Sequence, residues 1–242
     1  MPVSLPHVPS AHPEHHHRDI QGGSARAAVF GVSDGLVSNM GLILGVAGAH
    51  PAPAVVRLAG LAGLVSGAIS MAAGEYNSMR VQTELLQREL TIERRELRHR
   101  PEHETAELAE IYEQRGLDPG QAREVAEAMM SDPQTALETH AREELGIDPA
   151  KLGSPYGAGA ASFAAFSLGA MVPLAPWFVG SGGGAIVASL LLGVVAAAVV
   201  GALVARSTDR PLPRAVARQM LFTLVPATIT FLIGNLLGVG TA

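Results

Sequence analysis

The chain contains no cysteine, which excludes a disulfide scaffold, thiolate zinc sites and iron–sulfur clusters. Charge is scarce too: Asp, Glu, Lys and Arg make up 16% of the 242 residues, against about 25% in an ordinary soluble domain. The shortage is local, since residues 27–56, 158–205 and 219–242 hold one acid, Asp34, and no Lys or Arg. Together with 48% hydrophobic residues and a mean hydropathy of +0.27, this is membrane composition rather than that of a disordered or collagen-like chain. A formal net charge of −5 and no basic soluble face argue against nucleic acid as a partner. The chain also lacks a nucleotide-binding loop and a nucleophile–base motif, so an enzyme is disfavoured.

About 20 apolar residues in a helix cross the hydrocarbon of a bilayer, and five runs qualify: 26–49, 54–75, 157–179, 184–205 and 215–240. The expected fold is an all-α integral membrane bundle of five transmembrane helices per subunit, with a helical insert at 76–156 and an N-terminal tail at 1–25. Five spans put the tail, the insert and the loop at 206–214 on one side. Of 17 Lys and Arg residues, only Arg57 falls near the other. By the positive-inside rule the N-terminus is cytoplasmic and the C-terminus outside. Residues 1–25 hold no apolar run of the kind a secretory signal needs. Gly41, Gly45 and Gly48, and again Gly60, Gly63 and Gly67, recur at helical spacing; such small faces pack helix on helix in lipid, within a bundle or between copies.

The insert is acidic, with 17 Asp and Glu against 10 Lys and Arg over residues 76–152. Pro101, Asp118-Pro119 and Asp132-Pro133 mark helix starts, and Gly146 follows a last turn. Residues 78–98 continue the second span as a stalk of about 30 Å. Glu93 and Glu96, and Glu104 and Glu107, are each three apart and so share a helix face. Facing pairs would offer oxygen ligands to a divalent cation, although a solvated helix has the same look. Glu96-Leu97-Arg98-His99 fits the Glu-x-x-His element of di-iron bundles, which need two such elements; the insert holds no second one.

Within the spans, an unpaired carboxylate costs at least a few kcal/mol, so Asp34 reads as functional unless a neighbouring Ser or backbone group satisfies it. Met71 and Glu75 are four apart on one helical face. Alone, Met71 would read as packing or lipid-facing; with Asp34 and Glu75 it completes a thioether and carboxylate set suited to Fe(II) or Mn(II). Carboxylates in such a setting can exchange a proton for the metal.

Residues 28–39, Ala-Val-Phe-Gly-Val-Ser-Asp-Gly-Leu-Val-Ser-Asn, and 67–76, Gly-Ala-Ile-Ser-Met-Ala-Ala-Gly-Glu-Tyr, resemble motifs of the vacuolar iron transporter family, also called the CCC-type family. The likeness covers about residues 18–240, the insert included. It implies a homodimer that exports ferrous iron from the cytoplasm in exchange for protons, along a path between the first spans, with the insert collecting metal. Under that resemblance Asp34, Met71 and Glu75 match translocation residues. Glu93, Glu96, Glu104, Glu107 and Glu144 match carboxylates of the cytoplasmic metal site. Where plant members carry a Met-Met pair before the last of these, the chain has His140-Ala141. His140 is thus expected to supply an imidazole, which leaves Fe(II), Mn(II) and Zn(II) as candidate ions and no prosthetic group. Met129-Met130 reads as core, and His12, His15, His16 and His17 as a tail without a site. A single Lys against 16 Arg, with abundant Ala and Gly, points to a GC-rich bacterium and its plasma membrane. The competing reading is a membrane-anchored metal-binding or sensing protein without transport.

Overall fold

The computed structural model describes residues 23–146, 148–149 and 153–238; the expected tail as far as residue 22, with its histidines, lies outside them. All regular structure among these residues is helical: α1 (Gly23–Gly48), α2 (Pro53–His99), α3 (Pro101–Gln114), α4 (Pro119–Met130), α5 (Pro133–Glu143), α6 (Pro155–Leu174), α7 (Pro176–Val179), α8 (Gly182–Thr208) and α9 (Leu212–Gly238). Helices α1, α2, α6, α8 and α9 are long and apolar enough to cross a membrane. The protein is a multi-pass, all-α membrane bundle.

Proline punctuates the chain. It occupies the first turn of α2 through α7, where its fixed φ suits a helix start and its missing N–H costs nothing. Asp118, Asp132 and Ser154 cap α4, α5 and α6 by accepting from the backbone N–H of Gln121, Thr135 and Gly157. Two expected boundaries shift. The third span ends at Leu174 rather than 179, because Pro176 restarts the chain as the short α7. The loop expected at 206–214 shrinks to 209–211, since α8 runs on to Thr208 and α9 begins at Leu212.

Helix α1 is the centre of the bundle, packed against α6, α9, α2 and α8. Its crossing with α6 is backbone on backbone. A Cβ on Gly35 would collide with the Phe166 carbonyl, and one on Gly169 with the Val32 carbonyl. The expected small-residue faces make close contacts within the chain: Gly60, Gly63 and Gly67 sit against Leu174, Asn39 and Phe166, and Gly45 and Gly48 against Thr230 and Phe231. Ile43, Val56, Ala68, Phe166, Ala170, Leu174 and Trp177 form the main core. At one end Trp177 donates to Ser189 Oγ at 3.1 Å, and that hydroxyl donates to the Pro173 carbonyl at 2.7 Å.

Helix α2 has 47 residues, a length of about 70 Å. Its apolar half, 53–75, joins the bundle, and the remainder projects by about 36 Å. Helices α3 to α5 fold onto that projecting half. Leu90 packs with Leu137 and Ala141 between α2 and α5, with Leu97 alongside. Leu108, Ala109, Ala122 and Ala126 join α3 to α4, and Met129 packs against them. Met129 therefore lies where the sequence put it, in a core.

Candidate metal centre and transmembrane groove

The projecting unit brings together donors from three helices. Glu93 lies on α2, Glu104 near the start of α3, and His140 in the last turn of α5, with Glu144 as the residue that ends α5. One ligand atom of each lies within 4.8 Å of the others. His140 Nδ1 is 3.1 Å from Glu93, 3.5 Å from Glu144 and 3.9 Å from Glu104. The ring is wholly buried and Glu93 and Glu104 nearly so. Glu144, the fourth donor, is exposed and opens the cluster to solvent on one side.

The cluster is electrostatically incomplete. The approach of His140 to Glu93 is off hydrogen-bond alignment, so Glu93 Oε1 and both ring nitrogens are buried without a hydrogen-bond partner among the described residues. A group of this kind costs about 1–3 kcal/mol. Burial, and then the carboxylates of Glu144, Glu104, Glu96 and Glu107, push Glu93 up to about 7. Glu104 is raised as well, by burial and then Glu107, against the opposing pull of His140. Three carboxylates and an imidazole, all but Glu144 buried, relieve one another by taking up protons or a cation. A mixed oxygen and nitrogen set can hold Fe(II), Mn(II) or Zn(II).

The other expected ligands stand apart. Glu107 belongs to a second group with Glu104 and His103, in which His103 Nδ1 is 3.6 Å from Glu104 and 3.7 Å from Glu107. His103 escaped the sequence reading; its place between Glu102 and Glu104, one helical turn from Glu107, was the available signal. Glu96 is exposed and joins neither group. It lines a neighbouring surface pocket with Ile92, Arg95, His99 and Arg100 and acts on the centre through its charge. Glu93 is buried and Glu96, three residues on, is exposed, so burial distinguishes two carboxylates that spacing puts on one face.

In the bundle, α1 and α2 enclose an open groove of about 410 Å³. Asp34, Ser38 and Asn39 line it from α1 and Ser66, Ser70 and Met71 from α2, with Phe30, Leu42 and Phe166 as apolar wall. Asp34 and Met71 are thus brought to one cavity. Glu75 lies one turn further along α2, half-buried and outside the lining. Asp34 is exposed on the outer wall of the single chain, beside Phe30, which is 61% exposed.

Five apolar helices, a polar groove between two of them and a largely buried carboxylate–imidazole cluster on an extension of one define a polytopic membrane protein equipped with donors for a divalent cation. Residues 25–235 match the model of the VIT family. The chain belongs to that family, whose members are transporters and not enzymes. It is 31% identical over 223 residues to vacuolar iron transporter 1 of Oryza sativa subsp. japonica, covering 90% of this chain and 88% of that one. It is 33% identical over 218 residues to vacuolar iron transporter 2 of the same plant, covering 88% of each. A vacuolar iron transporter of Acanthamoeba castellanii is 41% identical over 152 residues, which span 63% of this chain and 54% of that protein.

Proposed function

We propose that the protein exports ferrous iron, and also Mn(II), from the cytoplasm across the plasma membrane of a bacterium in exchange for protons, working as a homodimer. The observation that carries this reading is that α2 holds both ends of a route. Met71 faces the groove shared with Asp34, and Glu93, 22 residues or about 33 Å along the same helix, anchors the buried donor cluster. Relatives named as iron transporters support the choice of ion.

The acidic extension, on the cytoplasmic side by the distribution of arginines, collects metal and raises its concentration at the mouth of the route. Glu75, at the end of the apolar half, receives the ion next. Asp34 and Met71 then pass it across, and the carboxylates give up protons as they bind it and regain them on release. A second copy closes the outer side of the groove: Asp34 on the wall of a single subunit would otherwise face lipid, which costs at least a few kcal/mol.

Liposomes holding the purified chain test the proposal by uptake of Fe(II) and Mn(II) with and without an imposed pH gradient, beside Asp34→Ala. Gradient-dependent flux that the variant loses is the expected result. Absence of flux from folded, dimeric protein refutes transport and leaves a membrane-anchored metal-binding protein. Removing Glu93, Glu96, Glu104 and Glu107 together lowers flux at micromolar metal if the extension collects the ion.

A further inference from the structure

Deep in the groove one polar group is left over. Asn39 is 2% exposed, and its Nδ2 donates to the Ala170 carbonyl on α6 at 2.8 Å. That bond fixes which end of the amide is which, since a carbonyl can only accept. The other end, Oδ1, is buried with no hydrogen-bond partner among the described residues. It is turned toward α2, where Gly63 provides the opening: a Cβ there would sit 2.7 Å from Oδ1 and collide with Leu42. Both Asn39 and Gly63 line the same cavity as Asp34, Ser38, Ser70 and Met71.

A buried carbonyl oxygen without a donor is costly, and α1 could satisfy the packing here with Leu at no such cost. The rest of the lining names a fitting partner. The Ser38 hydroxyl is already engaged, donating to the Asp34 carbonyl at 2.6 Å, and the one charged residue of the lining, Asp34, is an acid. A divalent cation takes neutral amide oxygens readily alongside carboxylates. Asn39 stands five residues beyond Asp34, about 7.5 Å further along α1 and away from the projecting half of α2.

We infer that Asn39 is a ligand of the permeating ion: its side-chain oxygen takes the divalent cation on from Asp34 and Met71, the next donor along the groove. The inference rests on the transport reading above. An uncharged donor at this step binds more weakly than a second carboxylate, so the ion is released onward rather than held.

The test is flux of Fe(II) and of Mn(II) per folded molecule in proteoliposomes, for the wild-type chain, Asn39→Leu, Asn39→Asp and Asp34→Ala. Asn39→Leu lowers flux of both ions by about tenfold or more. Asn39→Asp keeps the oxygen and adds charge, so half-saturation moves to lower metal concentration, the maximal rate falls, and the ratio of Mn(II) to Fe(II) flux rises because the donor is harder. A residue that only staples α1 to α6 would lower thermal stability in the variants with half-saturation and ion ratio unchanged; that outcome overturns the inference. Should Asn39→Leu fail to fold, Asn39→Asp decides alone, and a wild-type half-saturation and ratio refute. Wild-type flux lost in Asp34→Ala but intact in both Asn39 variants overturns this inference and leaves transport standing. No wild-type flux overturns both.

Discussion

His140→Leu separates a metal ligand from a core residue. The histidine is wholly buried, neither ring nitrogen has a hydrogen-bond partner among the described residues, and three carboxylates surround it. Leucine fills a similar volume without a donor. In metal-free protein the substitution removes a buried polar ring whose unpaired groups cost about 1–3 kcal/mol each, so stability is expected to hold or to rise by about 1 kcal/mol. With metal the sign reverses. Loss of one donor of four weakens binding by about 10- to 100-fold, or about 1.4–2.8 kcal/mol. At a metal concentration about 100 times the wild-type Kd, bound metal stabilises the wild type by about 2.7 kcal/mol; the variant gains only about 0.4–1.4. Calorimetric titration of the full chain with Mn(II), and melting curves with and without the ion, measure both halves. Unchanged affinity, or an equal loss of stability in both conditions, would refute the assignment.

The pH dependence follows from the same corner. Glu93 titrates at about 7 in the folded chain against an ordinary 4.5, so the folded state holds the proton more tightly and metal-free protein loses stability as pH rises from about 4.5 through 7. Metal must displace that proton, so affinity climbs about tenfold per pH unit below 7 and flattens above it; titrations at three pH values that agree would contradict this. Gly169→Val forces a side chain into the Val32 carbonyl and is expected to destabilise the bundle by about 1–3 kcal/mol, read as a lower melting temperature in detergent. Ser189→Ala strands the indole N–H of the buried Trp177 at a cost of about 1–3 kcal/mol. A melting curve like that of the wild type would show that water replaces the hydroxyl.

How much of the site was legible depended on which helices meet. Asp34 and Met71 stood out because a charge and a thioether at those places in apolar runs are unusual, and the groove brings both to one cavity. His140 was singled out by comparison with relatives' pattern rather than by spacing, and it lies at the heart of the buried cluster. Glu96 and Glu107 looked equivalent to Glu93 and Glu104 in sequence. Glu93 and Glu104 are buried, whereas Glu96 is exposed and Glu107 half-buried, a difference that no spacing along one helix contains. His103 and Asn39 carried weak signals for the same reason: an exposed His among acids and an Asn in an apolar run acquire meaning only from their neighbours in space.

By itself the sequence determined the helical class, the number of apolar spans, the long continuation of the second span and the punctuated helices of the extension. Each follows from hydrophobic run length, from proline's missing N–H and from capping side chains, all local properties of the chain. The tertiary structure decided the rest. Close approach at Gly35 and Gly169 sets how α1 crosses α6, and that crossing turns Asn39 toward Ala170 on one side and Gly63 on the other. The meeting of α2, α3 and α5 selects which of 17 acids in the extension lose their water. Desolvation is a property of the surroundings and not of the residue, so it separates a buried donor set from a solvated acidic face of the same composition.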